Sequence, residues 1–145
     1  MYKLILAAAA LLSLTTATPL AERQDHPDQI ALGRLAYSRG HQFVAWAPSR
    51  TTQQEACRTH ATIQVNNSGF PDRPICGSPF SVGNLVDVTL ACGTSPVTPT
   101  TSDVVAVIDA SGARIENCVS AVSDYVPCDN VGSGLMQQFI CTWEA

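Results

Sequence analysis

The sequence predicts an α+β fold, a β-rich single domain of about six short strands with one short helix, stapled by three disulfides. Three observations carry this reading. Short runs rich in β-branched and aromatic residues are separated by Pro- and Gly-bearing stretches, the pattern of strands joined by turns. Only Thr52-Gln53-Gln54-Glu55 has strong helix-starting chemistry, with Thr52 at the N-cap and Glu55 at the third helical position. The cysteines Cys57, Cys76, Cys92, Cys118, Cys128 and Cys141 form an even set, which in an exported chain reads as three disulfides. An all-β sandwich is the alternative architecture.

From the N-terminus, residues 1–17 have the parts of a secretory signal peptide. Lys3 supplies the positive charge, Leu4 to Leu14 the apolar run, and Thr15 and Ala17 the small residues before a cut at Thr18. That run is too short for a membrane span, which needs roughly 20 residues to cross about 30 Å of hydrocarbon. Residues 18–40 read as a propeptide and flexible N-terminal arm, with a processing site after Arg23 as one option. Within it Asp28 can cap a weak helix through Ile30, Leu32 and Leu35, which Gly33 destabilises by about 1 kcal/mol. The disulfide-stabilised β-rich domain is expected over residues 41–145.

His41 to Ala47 reads as the first strand, closed by Pro48, and the short helix then runs from Gln53 to about His60. Ala61 to Val65 returns to strand character and ends in the turn residues Asn66-Asn67-Ser68-Gly69. Prolines and glycines make Phe70 to Gly83 a loop, which Cys76 is expected to pin to the core. Asn84 to Cys92 is the clearest strand, with Val86, Val88, Leu90 and Cys92 on one face and Asp87 and Thr89 opposite. After a Thr/Pro loop, Val104 to Asp109 and Ala113 to Val122 form a hairpin about Ala110-Ser111-Gly112. The last strand is Met136 to Trp143. Disulfide connectivity is not readable from spacing; Cys118 with Cys128, the nearest pair along the chain, is the favoured guess.

The formal net charge is −4, and Lys3 is the only lysine, so removal of the signal leaves arginine as the sole strongly basic side chain. An acidic chain without a basic patch argues against nucleic acid and against anionic membrane surfaces as partners. A chain that reaches a host cytosol without lysine side chains would also offer few sites for ubiquitin.

Residue types for ribonuclease chemistry are present in His41, Glu55, Arg58 and His60, and small secreted fungal ribonucleases have this size. Their spacing argues otherwise, since the last three crowd one short helix, where Glu55 and Arg58 make an ordinary i,i+3 pair. Cys57 and His60 resemble half of a zinc site, yet no second half follows. Asp72, Asp87, Asp103, Asp109 and Glu116 are the carboxylates that could converge as a glycosidase-like pair. The reading therefore names no catalytic residue, no metal and no cofactor, and favours a protein without enzymatic activity. Asn66-Asn67-Ser68 is a glycosylation sequon centred on Asn66 at an expected turn. Trp46, Trp143, Phe43, Phe80 and Tyr125 are expected in the core rather than on a ligand platform.

The signal, the size, the cysteine number and the Leu20-to-Arg23 segment together make the chain resemble small secreted cysteine-rich proteins of fungi, many of them effectors. The resemblance covers the whole layout but rests on no family motif. It implies an extracellular protein, with a host cell as a second destination, that binds a host protein and suppresses defence. A secreted toxin or antimicrobial protein and a small secreted hydrolase are the alternatives; the acidic charge disfavours membrane-active killing.

Overall fold

The computed structural model describes residues 26–38, 40–66, 75–93, 104–128 and 132–144. These residues form nine antiparallel strands: β1 (Ile30–Tyr37), β2 (Gly40–Trp46), β3 (Ala61–Asn66), β4 (Phe80–Val82), β5 (Leu85–Cys92), β6 (Val104–Ile108), β7 (Arg114–Ser120), β8 (Val126–Pro127) and β9 (Gly134–Thr142). The order around the sheet is β3-β2-β1-β9-β7-β6-β5-β4, with β8 also pairing β9. The terminal strands β3 and β4 come together, so the sheet curls into a nearly closed barrel and its two edges largely protect each other.

The expected α+β class is therefore wrong. The anticipated helix is a single 3-10 turn, Glu55–Cys57. Half of the capping box survives, for the Glu55 N–H donates to Thr52 Oγ1 at 3.1 Å. The side chains just before this turn bond away from it, to the segments flanking β8. Gln53 Nε2 donates to the carbonyls of Asp124 and Leu135, and Gln54 Nε2 donates to that of Pro127. The sandwich alternative fails too, since one continuous sheet encloses the core.

The N-terminal arm is corrected as well. Ile30–Tyr37 lies at the centre of the sheet, between β2 and β9. Its apolar spacing looks helical because the strand is buried on both faces. Ile30 and Leu32 point into the barrel, while Ala31 and Leu35 join a second apolar cluster outside it. The barrel core is built by Leu32, Phe43, Leu90, Val107, Phe139 and their neighbours. The outer cluster holds Val44, Trp46 and Leu135, and Ala56 of the 3-10 turn covers it.

Three disulfides fix these two layers, and none joins Cys118 to Cys128. Cys118 on β7 faces Cys141 on β9 in register, and they are bonded. Cys57 of the 3-10 turn is bonded to Cys128 just beyond β8, closing the margin of the outer cluster. Cys76 is bonded to Cys92 and holds the segment before β4 against the barrel. The guessed pair fails because its two cysteines lie successively along one side of β9, Cys118 facing the barrel core and Cys128 the outer cluster.

Candidate functional site

One end of the barrel is formed by the start of β1, the end of β2, the β4–β5 turn, the β6–β7 turn and the end of β9. The β6–β7 hairpin is the one expected about Ala110-Ser111-Gly112. Asp109 organises it by accepting from Ser111 N, Ser111 Oγ and Ala113 N at 2.7–2.9 Å. These bonds, that from the Ser111 side chain foremost, hold the Asp109 carboxyl below the usual range.

Residues 26–28 cross the same end of the barrel. Asp28 Oδ2 accepts from Arg50 Nε at 2.6 Å and from Asn84 N at 2.9 Å, while Asp28 N donates to Asn84 Oδ1 at 2.7 Å. Gly83, at φ +59°, passes so close beneath Asp28 that a Cβ there would strike its carboxylate. One step outward, the His26 ring stacks on Trp143 with centroids 4.9 Å apart.

Behind this strap is a cavity of about 420 Å³ lined by Pro27, Arg114, Ile115, Glu116, Asn117, Trp143 and Glu144. Glu116 is the unusual member. Alternation along β7 turns it inward with Cys118, opposite Val107 of β6, and it is 1% exposed. Neither of its carboxyl oxygens has a hydrogen-bond partner among the described residues. Burial, and then the negative charge of Asp28, push its pKa up to about 8. At neutral pH the group is therefore mainly a neutral carboxylic acid, able to give one O–H and accept at the other oxygen.

The remaining sequence candidates lie elsewhere. His41 is near the opposite end of β2 from Ala45, which pairs with Ala61 next to His60. Four residues of strand separate the two positions, roughly 13 Å. His60 Nδ1 is 2.7 Å from the carbonyl oxygen of Ala56, a local contact within its own turn. Glu55 and Arg58 lie on the exposed surface of that turn. No shared phosphate-sized site joins these four residues. Asp87 is exposed on β5 at φ +52°, and its N–H bonds Ser81 Oγ. Asp72 and Asp103 lie outside the described residues, as do residues 1–25 with the signal and processing sites. Asn66 ends β3, while Asn67 and Ser68 of its sequon lie outside the described residues.

Of the aromatic residues, Phe43, Phe80 and Trp46 are buried as expected, whereas Tyr125 and Trp143 are about half exposed. Sequence reasoning named Glu116 only as one carboxylate among five. The signal that could have singled it out is its position: with Cys118, it falls on the alternating face of β7 that must point inward. Asp28 falls in the segment that the sequence marks as an arm, where nothing local ties it to Glu116.

A second groove of about 440 Å³ lies outside the barrel, beside Leu35, Tyr37, Arg58 and the Cys57–Cys128 bridge. Its lining includes no buried, unsatisfied ionisable group. The barrel mouth is thus the better candidate. Among the described residues no group of three or more His, Cys, Asp or Glu side chains is placed to hold a metal ion. Nor is any helix among them long and apolar enough to cross a membrane. Comparisons with protein families, with characterised proteins and with solved structures find no match for this chain.

Proposed function

We propose that this chain is an exported binding protein that holds a small molecule in the barrel mouth around Glu116. The observation that carries the reading is Glu116, which lines a cavity of about 420 Å³ while its carboxyl oxygens are closed to solvent and have no partner among the described residues. An unsatisfied buried carboxyl costs stability, and a ligand that bonds to it recovers that cost. Three disulfides and a nearly closed sheet keep such a site preformed, which limits the entropy lost on binding. Effector activity, through capture of a molecule from a host, is the biological setting consistent with the secretory layout of the sequence. A fragment screen by protein-observed NMR tests the reading. Hits that shift Arg114 to Asn117 and Trp143 support it, and hits confined to other surfaces contradict it.

A second reading, a small secreted hydrolase, is favoured by one specific pairing. Glu116 keeps its proton at neutral pH, whereas the Asp28 carboxylate, ion-paired to Arg50, supplies negative charge nearby. Two carboxyl groups in such different environments are the arrangement used for acid-assisted glycoside cleavage. Release of nitrophenol from nitrophenyl glycosides, lost in both Glu116→Gln and Asp28→Asn, would favour this reading over simple binding. No release from any glycoside tested would leave binding as the supported activity.

A further inference from the structure

We propose that the mouth ligand is a monocationic amine attached to a ring, its ammonium bonding to Glu116 and its ring packing on Trp143. This rests on the binding reading above and names the ligand class for that site.

The charges around the mouth supply the first argument. On the crossing segment Asp28 is paired with Arg50 from the loop after β2. Arg114 at the start of β7 and Glu144 after β9 line the cavity with opposite charges. On β6 the residue facing Glu116 is Val107, which carries no charge. Once Glu116 ionises, the cavity lining therefore holds two carboxylates, Glu116 and Glu144, against one cation, Arg114, while Asp109 on the neighbouring β6–β7 turn is satisfied by its own hairpin bonds. Arg114 does not bond to Glu116, because neither Glu116 oxygen has a hydrogen-bond partner among the described residues. A single ammonium completes the set.

The second argument is shape. Trp143 is 44% exposed in the cavity lining, with the His26 ring stacked on it. Aromatic faces attract both rings and cations. Pro27 and Ile115 add apolar wall beside it. A dication would exceed the net charge of the cavity lining, and an anion would meet the unpaired Glu116 carboxylate. A neutral ring compound would bind the protonated acid without releasing a proton, which the pH profile of binding distinguishes.

Proton linkage makes the proposal measurable. At neutral pH the amine must displace the Glu116 proton into solvent, so each binding event releases close to one proton. Affinity should then rise about tenfold per pH unit up to about 8 and level off above it, while the amine itself stays charged.

The test uses the full secreted, oxidised protein with phenethylamine as probe and 2-phenylethanol as its neutral counterpart, titrated by NMR from pH 6 to 8.5. The expected result is a phenethylamine Kd falling about tenfold per pH unit below 8, with shifts at Arg114 to Asn117 and Trp143. Phenylethanol should bind at least tenfold more weakly at pH 8. Glu116→Gln should abolish the pH dependence and weaken phenethylamine at least tenfold. Trp143→Ala, which leaves the barrel interior untouched, should weaken it severalfold. Equal binding of both probes, or a flat pH profile for phenethylamine, would overturn the amine assignment while leaving a mouth-binding protein. Mouth shifts from neither probe would overturn the amine assignment; the binding reading then falls only if the fragment screen also leaves the mouth unshifted.

Discussion

Glu116 faces Val107 across the paired strands β6 and β7, so a carboxyl group stands against one of the most enclosed apolar side chains of the barrel. An ordinary glutamate titrates near 4.5, whereas this one holds its proton up to about 8. The two values define a window in which the unfolded chain has lost a proton that the folded chain retains. Stability from this group is complete below the lower value and is lost as pH rises through the upper one. Unfolding by urea should therefore show stability declining from pH 5 to pH 8 by up to about 1.4 kcal/mol per pH unit. Glu116→Gln should flatten that decline and be the more stable protein at pH 8, with little difference at pH 5. A wild-type profile that is level across this range would show that Glu116 is not held neutral.

The disulfide pattern gives the next prediction. Peptide mapping without reduction should recover Cys57 with Cys128, Cys76 with Cys92 and Cys118 with Cys141. Cys57–Cys128 closes the longest loop, with a sequence separation of 71, and chain-entropy reasoning assigns it about 4 kcal/mol. The double variant Cys57→Ala/Cys128→Ala should lose stability of that order and expose Trp46, seen as a red-shifted fluorescence. Recovery of a Cys118–Cys128 peptide from the folded, oxidised protein would contradict the barrel register itself.

Much of this architecture was legible in the residues. Strands β2, β3, β5, β6, β7 and β9 lie where the β-rich runs and the turn chemistry between them place them, although Val86, expected beside Val88 on one face of β5, is 68% exposed where Asp87 at φ +52° interrupts the alternation. What escaped was governed by burial on two faces. Ile30 and Leu32 fill the barrel while Ala31 and Leu35 meet the outer cluster, so β1 lacks the two-residue alternation that announces a strand. The 3-10 turn shows the reverse error. Of the expected capping at Thr52 only the Glu55 N–H bond to Thr52 Oγ1 forms, and the long-range bonds of Gln53 and Gln54 cannot be seen from local sequence. For the site, the identity of Glu116 was visible and its setting was not. Asp28 belongs to a segment read as an arm, and only closure of the barrel brings the two carboxyl groups into electrostatic contact.

Gly134 tests the pairing of β8 with β9. The Tyr125 ring lies directly over its Cα, where any Cβ would collide with the ring. Gly134→Ala should cost about 1–3 kcal/mol through overpacking. Tyr125 is half exposed, so Tyr125→Ala should be mild alone and should relieve most of that cost in the double variant. Additive losses in the thermal melts of the three variants would place Tyr125 away from Gly134.

Asp28 separates the two causes behind the unusual Glu116 carboxyl. Burial is the larger and the Asp28 charge the smaller. Asp28→Asn should lower the Glu116 midpoint while leaving it well above an ordinary glutamate. A return to the ordinary range in this variant would mean that charge, and not burial, controls the group.

The measurement closest to the centre of this account is the carboxyl ¹³C titration of Glu116 in the intact oxidised protein, assigned by its disappearance in Glu116→Gln. The account predicts one slow-titrating glutamate with a midpoint near 8, moved downward when phenethylamine occupies the mouth. A Glu116 midpoint near 4.5, unchanged by the probe, would contradict both the buried acid and the binding site built on it.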